Sequence, residues 1–99
     1  MSFLDVVIAE ARLRMLVMLD ENTADGSAHA GLLDNALDAC GLSLSRDVVH
    51  SQLDWLAEQR LVDVSTVAGI KRATITQRGK DVARGQAIVT GVLRRIDLV

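Results

Sequence analysis

The stretch SRDVVHSQLDWLAEQRLVDVSTVAGIKRATIT, residues 45–76, changes its hydrophobic period halfway along. Its first half repeats apolar residues about every 3.6 positions, which predicts a helix from Arg46 to Arg60 with Ser45 as the N-cap. Its second half alternates apolar and polar residues in two β-branched segments, 61–66 and 71–76. Such alternation is typical of paired strands, so a two-stranded hairpin is predicted directly after the helix.

A second helix is predicted just before this stretch, over residues 28–39. It has one apolar face, and Gly41 stops it. The residues of that face are Leu32, Leu33, Ala36 and Leu37. Two helices joined by a short turn have the shape of a helix-turn-helix over residues 28–60. On the later helix, Val49, Leu53, Leu56 and the stem of Arg60 are expected to face inward.

The chain begins with a long predicted helix, residues 3–21, in which Ser2 caps the first turn. One apolar sector is expected to face the core, namely Leu4, Val7, Ile8, Ala11, Met15, Met18 and Leu19. A second apolar sector comprises Phe3, Val6, Leu13 and Val17. This second sector is a candidate interface with a second subunit or another partner. The alternative is a central helix that its own domain covers on both sides.

After the hairpin, Thr76 can cap a further helix over residues 77–87, with Val82 and Ala83 facing inward. Residues 88–99 are predicted to be an irregular arm lying on the domain or on a partner. The predicted fold class is therefore mainly α with a two-stranded β-hairpin (α+β), in the order α-α-α-β-β-α plus the arm. It forms one domain over residues 1–99, with segments 1–21, 28–60, 61–76, 77–87 and 88–99.

The charge of the chain is divided unevenly along its length. The net charge of the 99 residues is −2, yet residues 1–64 carry eleven acidic and four basic side chains. Residues 65–99 carry seven basic and two acidic ones. This asymmetry indicates either an electrostatic partner for the basic end or a basic end that folds back onto the acidic part.

Two segments carry a family resemblance. LDWLAEQRLV (53–62) resembles the pattern xLxxLxxxGLV of bacterial winged-helix regulators of the ArsR, MarR and PadR type, with Arg60 at the usual Gly or small residue. ITQRGKDVA (75–83) is similar to the LTxxGxxVA that follows the wing in those families. The resemblance implies a winged helix-turn-helix with a wing over residues 61–76.

A narrower resemblance lies in TQRGKDVARGQA (76–87), followed by VTGV and the pair Arg94 and Arg95. This segment resembles the carboxy-terminal signature of small winged-helix proteins of Mu-like phages and prophages. The prolines of that signature are missing at Thr90 and after Arg95. The resemblance implies a phage or prophage origin.

In a winged helix, the third helix enters the major groove and the wing reaches the backbone. The candidate DNA-contacting residues are Ser45, Arg46, His50, Lys71, Arg72, Arg78, Lys80, Arg94 and Arg95. The third helix also carries Asp47, Asp54 and Glu58, which oppose phosphate. Duplex DNA is therefore expected to be contacted mainly by the wing and arm, in the manner of a transcriptional regulator. The alternative is a non-catalytic interaction module in phage assembly or DNA packaging.

Other chemistry has little support in the sequence. Cys40 is the single cysteine and is expected to be a small buried hydrophobe, and Trp55 to be a core residue or an interface anchor. His50 and Asp54 lie four residues apart, but a solvated pair is the simpler interpretation, so no metal site is predicted. No nucleophile or phosphate-loop motif occurs, so neither an enzyme nor a cofactor is expected. No signal peptide or membrane-length apolar run is evident, which favours the cytoplasm.

Overall fold

The computed structural model describes residues 1–98 and shows four α-helices and one three-stranded antiparallel sheet. The helices are α1 (Phe3–Glu21), α2 (Ala30–Ala39), α3 (Arg46–Glu58) and α4 (Gln77–Ala83). The strands are β1 (Ser27–His29), β2 (Val62–Val67) and β3 (Ile70–Ile75), and a 3-10 turn covers Arg95–Asp97. The predicted α+β class is confirmed. Val99, the last residue of the predicted arm, lies outside the described residues.

The predicted starts of α1, α3 and α4 are confirmed, and each has a side-chain cap. Ser2 accepts from the Asp5 amide at 3.1 Å, and the Asp5 carboxylate accepts from the Ser2 amide at 3.2 Å, which completes a capping box. Ser45 accepts from the Val48 amide, and Thr76 from the Gly79 amide. These contacts fix where α1, α3 and α4 begin.

Three helices end in the same backbone motif, in which a residue of positive φ follows the cap. Gly41 has this role after α2 and Gly85 after α4, each with paired bonds back to the last helical turn. Arg60 has it after α3, with a φ of 61°. The expectation that the stem of Arg60 faces inward is therefore wrong, because a left-handed residue turns the chain away from the helix and leaves Arg60 exposed.

The sheet has one strand more than predicted. β2 and β3 form the expected hairpin, closed by Ala68 and Gly69, which both have positive φ as a tight two-residue turn requires. β1 adds to the other edge of β3, with Ala28 opposite Ala73, so the sheet order is β1-β3-β2. The second helix therefore begins at Ala30, two residues later than predicted, since residues 28 and 29 belong to the strand.

α1 is the central helix and packs against α2, α3 and α4. Its fully buried residues are Ala11, Leu13, Met15, Leu16 and Leu19. The assignment of Leu13 to a partner interface is wrong, because the fold of the same chain covers it completely. Leu4 in α1 and Leu32 in α2 were expected to face the core and are instead exposed. The rest of the domain therefore covers α1 on two sides from about Ala11 onward, whereas its first turns remain exposed.

The carboxy-terminal part lies on the body of the protein. α4 ends at Ala83 rather than at residue 87, because Gly85 terminates it. The arm then runs irregularly along α1, where the Leu93 amide donates to the Ala9 carbonyl at 3.1 Å and Val89 and Val92 are buried. Of the two predicted arrangements for the arm, packing on its own domain is the one observed.

Gly79 explains the close packing of α4. A Cβ atom there would collide with the carbonyl oxygen of Leu61 and come within 2.7 Å of Ile75 Cγ1. Only glycine permits this approach, so the spacing of Thr76 and Gly79 in the ITQRGKDVA segment has a structural reason.

The order of elements from α1 to α4 is compatible with a winged-helix arrangement, in which α2 and α3 precede the β2–β3 hairpin. Among residues 1–98, no helix combines the length and the apolar character needed to cross a membrane.

Candidate nucleic-acid interface

A cleft of about 340 Å³ lies between the amino end of α2, helix α3 and the tip of the hairpin. Arg46 and His50 line it from α3, Lys71 and Ile70 from β3, and His29 from the residue before α2. Three predicted DNA-contacting residues, Arg46, His50 and Lys71, therefore meet in one place although the chain separates them by up to 25 positions. We call this the α3–hairpin cleft.

Arg46 is held at the edge of this cleft by an acidic residue of α2. Its Nε atom lies 3.5 Å from Asp34 Oδ2, and the Arg46 side chain remains largely exposed. Asp34 is buried, and its other oxygen, Oδ1, has no hydrogen-bond partner among the described residues. Arg46 is thus the one cation within ion-pair distance of this buried carboxylate in the described part of the chain, and removing its charge would leave Asp34 without an ion-pair partner.

Lys71 is also paired, with a residue of α3. Its Nζ atom donates to Asp54 Oδ1 at 2.7 Å. Because strand residues alternate, Lys71 shares the inner face of the sheet with Ala73 and Ile75, and this directs it toward α3. This ion pair connects the β2–β3 hairpin to α3.

The outward face of α3 is acidic, as predicted. Asp47, Asp54 and Glu58 are all exposed, and the Ser51 hydroxyl donates to the Asp47 carbonyl. Ser45 caps the helix with its side chain, so its observed role is structural. The outward face of α3, which would meet base edges, therefore offers mainly hydrogen-bond acceptors, whereas the residues of α3 that line the cleft are Arg46 and His50.

Arg72, Arg78 and Lys80 do not line the α3–hairpin cleft. Arg72 points to the other face of the sheet, where it donates to Ser27 Oγ at 2.8 Å and lies 3.9 Å from Asp25. Arg78 donates to the carbonyl of Gln59, at the carboxyl end of α3. Lys80 follows on α4.

Arg94 and Arg95 lie in a second cleft, together with Arg84 and the exposed Ile88 and Ile96. All three arginines have acidic partners. These pairs are Arg84 with Asp20 at 2.9 Å, Arg94 with Asp97 at 3.2 Å and Arg95 with Glu21 at 3.1 Å. The basic end of the chain thus folds back onto the acidic part, which is one of the two interpretations of the charge asymmetry.

The pair between Arg84 and Asp20 has the clearest electrostatic signature. The hydrogen bonds from Arg84 lower the pKa of the Asp20 carboxyl below its usual value, and the same contact raises the pKa of Arg84. The Asp20 side chain is almost completely buried beneath Arg84.

Of the four residues of the predicted partner interface, only Phe3 and Val6 are exposed and available to a partner. Phe3 is 83 % exposed and Val6 is also exposed, whereas Val17 is only partly exposed and packs against the core. Trp55 is partly buried against the core, which agrees with one of its two predicted roles. Cys40 is exposed, so the expectation of a buried thiol is wrong.

Two features of the site were missed from the sequence. His29 caps α2 through Nδ1, which accepts from the Leu32 amide at 3.2 Å, and a histidine cap has no strong sequence signal. Arg12 stacks on Trp55 at 3.7 Å, a contact between residues 43 positions apart that no local pattern in the sequence indicates. Within residues 1–98, no group of three or more metal-ligating side chains occurs.

The fold and this interface define a small α+β protein with a helical body and a three-stranded antiparallel sheet. The "Uncharacterized protein gp26" of Escherichia phage Mu is 44 % identical over 90 residues, which cover 91 % of this chain and 92 % of that protein. The chain therefore belongs to the family of phage Mu gp26, and the predicted Mu-like phage family is confirmed.

An "Uncharacterized protein" of Haemophilus influenzae is 37 % identical over 79 residues, or 79 % of this chain and 76 % of that protein. No family model and no solved structure matches the sequence.

Proposed function

We propose that this protein is a cytoplasmic winged helix-turn-helix protein of a Mu-like phage that binds duplex DNA and regulates transcription, without enzymatic activity or a cofactor. In this proposal α2 and α3 form the helix-turn-helix, and β2 and β3 form the wing. The observation that carries it is the α3–hairpin cleft, which gathers Arg46, His50 and Lys71 beside the amino end of α2.

The chemistry of this cleft suits a phosphate of the DNA backbone. Arg46 offers a planar set of donors, Lys71 an ammonium group, and the amino end of α2 adds a partial positive charge. The acidic outward face of α3 adds no affinity, so the expected contact is through the backbone and weakens with salt. The arm residues Arg94 and Arg95 lie in a separate cleft, so of the wing and the arm only the wing is expected to contact DNA together with α3.

Binding of a labelled random-sequence duplex at about 50 mM and about 200 mM salt tests this function. A protein that neutralises several phosphates loses affinity by orders of magnitude between these two conditions. Lys71→Gln, which keeps a hydrogen-bond donor for Asp54, is expected to lower the affinity and to reduce the salt slope by about one. Arg72→Gln is the matched control, because it removes one positive charge from the other face of the same strand.

A second candidate is a protein-interaction module in phage assembly or DNA packaging. It is favoured by the acidic outward face of α3 and by the carboxylate partners of seven cations, including Lys71 and Arg46. The same experiment separates the two functions. No binding to the duplex at the lower salt would overturn DNA binding and leave the module as the better explanation, whereas binding that Lys71→Gln weakens would overturn the module.

A further inference from the structure

Arg12 differs from the seven cations that form ion pairs among the described residues. Its guanidinium is partly buried between α1, α3 and the arm, and no carboxylate lies within ion-pair distance of it among the described residues. It contacts only neutral groups. Its Nε atom donates to Gln52 Oε1 at 2.8 Å, one Nη atom donates to the Gly91 carbonyl at 2.9 Å, and its plane lies over Trp55 at 3.7 Å.

These contacts leave part of the guanidinium unused. A guanidinium has five N–H groups, and the two hydrogen bonds of Arg12 use two of them. Nη1 keeps one N–H group and Nη2 keeps two, and N–H groups on the two Nη atoms can together bind a carboxylate in bidentate fashion. Burial without a countercharge lowers the pKa of Arg12. An anion bound beside the guanidinium would offset the unfavourable desolvation of its charge in the folded protein.

Arg12 lines a cleft of about 400 Å³, a volume typical of small-molecule sites. Met1, Leu4 and Ile8 give this cleft apolar walls next to the guanidinium. Asp5 also lines it, and one of its carboxylate oxygens accepts from the Ser2 amide in the capping box. The cleft thus places one cation with free donors beside an apolar surface.

We propose that this cleft binds a small monocarboxylate with an apolar body, with the carboxylate on Arg12 and the body against Leu4 and Ile8. A neutral ligand would leave the cation uncompensated, and each further negative charge on a ligand would add repulsion from Asp5, which lines the same cleft. The site is separate from the α3–hairpin cleft, so it can be present whether or not the protein binds DNA.

Trp55 provides the measurement, because it is the single tryptophan and its ring touches the Arg12 guanidinium. Hexanoate is the probe and 1-hexanol is its neutral counterpart, each titrated into the full chain without DNA. Hexanoate is expected to change the Trp55 fluorescence saturably with a Kd of about 1 mM or lower. 1-Hexanol is expected to bind at least about tenfold more weakly.

Leu4→Asp tests the site with little risk to the fold, because Leu4 is exposed. It puts a negative charge at the cleft and is expected to weaken hexanoate binding about tenfold or more. Leu32→Asp is the control, since Leu32 is an exposed leucine on α2 outside this cleft. Three results would each overturn the proposal: no saturable response to hexanoate up to about 20 mM, equal binding of 1-hexanol, or equal binding by Leu4→Asp and the wild type.

Discussion

Lys71 Nζ lies 2.7 Å from Asp54 Oδ1, and this ion pair joins the start of β3 to the middle of α3. The Lys71 side chain is only 17 % exposed, whereas that of Asp54 is 58 % exposed. One of the cations in the α3–hairpin cleft is therefore neutralised by the helix that forms the wall of the cleft. In the proposed DNA complex, this carboxylate competes with phosphate for the same ammonium group.

Asp54→Asn is accordingly expected to strengthen binding to duplex DNA. The substitution removes the carboxylate that competes with phosphate for Lys71, so the phosphate contact of Lys71 no longer requires an ion pair to be broken. The affinity at about 50 mM salt should rise several-fold, which fluorescence anisotropy of a labelled duplex measures.

Glu58→Gln is the matched control for this prediction. Glu58 lies on the outward face of the same helix, and no ion pair joins it to any other residue from 1 to 98. Both variants remove one negative charge, but only Asp54→Asn releases a cation. An equal gain in affinity from the two would show that Lys71 is not held back by Asp54.

Arg60→Gly is expected to stabilise the fold. Arg60 occupies the left-handed position after α3 with a φ of 61°, a conformation that costs an L-residue about 1 kcal/mol or more. Glycine adopts it freely but loses more chain entropy, so the net gain should be up to about 1 kcal/mol. Thermal unfolding should show a rise in Tm of about 4 °C.

The reverse substitution at the equivalent position of α2 provides the comparison. Gly41 has a φ of 82°, and a Cβ atom there would meet nothing within 4 Å. Gly41→Ala therefore tests backbone strain without a steric clash and should lower the Tm. A rise in Tm for Gly41→Ala, or no change for Arg60→Gly, would contradict the role assigned to this helix ending.

The same position shows what the sequence could predict. The resemblance to winged-helix families marked Arg60 as unusual, and the backbone shows why glycine suits this position, because Arg60 has a φ of 61°. The caps at Ser2, Ser45 and Thr76 were predictable for a similar reason, since each depends on residues three positions away. Helix caps can be predicted from the sequence because the residues that form them are close together along the chain.

Features that depend on distant residues were not predictable in the same way. β1 has only three residues, Ser27 to His29, and it is a strand because β3 lies beside it. Arg84 and Asp20 are 64 positions apart, so no pattern in the sequence shows that they pair. Charge and position in the predicted winged helix indicate the candidate DNA residues, but the pairing of Lys71, Arg94 and Arg95 with carboxylates is visible only in the folded chain.

A homodimer remains a prediction, and Phe3 and Val6 are the residues that now carry it. Both are exposed on the first turns of α1, where a second subunit could cover them. If they form the interface, the wild type should elute at twice the 10.7 kDa chain mass, and Phe3→Glu with Val6→Glu should elute as a monomer. Light scattering after size exclusion measures this, and a monomeric wild type would contradict the prediction.

Acid should destabilise the protein through Asp20. Its pKa is lower in the folded protein than in the unfolded chain, chiefly because Arg84 hydrogen-bonds to the carboxylate. Between the folded and the unfolded pKa of Asp20, the unfolded chain binds more protons than the folded protein. The contribution of Asp20 to stability is therefore complete above the unfolded pKa of about 3.9. It is lost as the pH falls through the lower, folded pKa.

The free energy of unfolding in urea, measured at neutral pH and below about pH 4, tests this contribution. Asp20→Asn should be less stable than the wild type at neutral pH, because the ion pair is gone, and should lose less stability on acidification. Asp97→Asn is the control, since the pair of Asp97 with Arg94 is exposed and local, and exposed pairs contribute little. A wild type and an Asp20→Asn variant with the same pH dependence would show that Arg84 does not stabilise the carboxylate of Asp20.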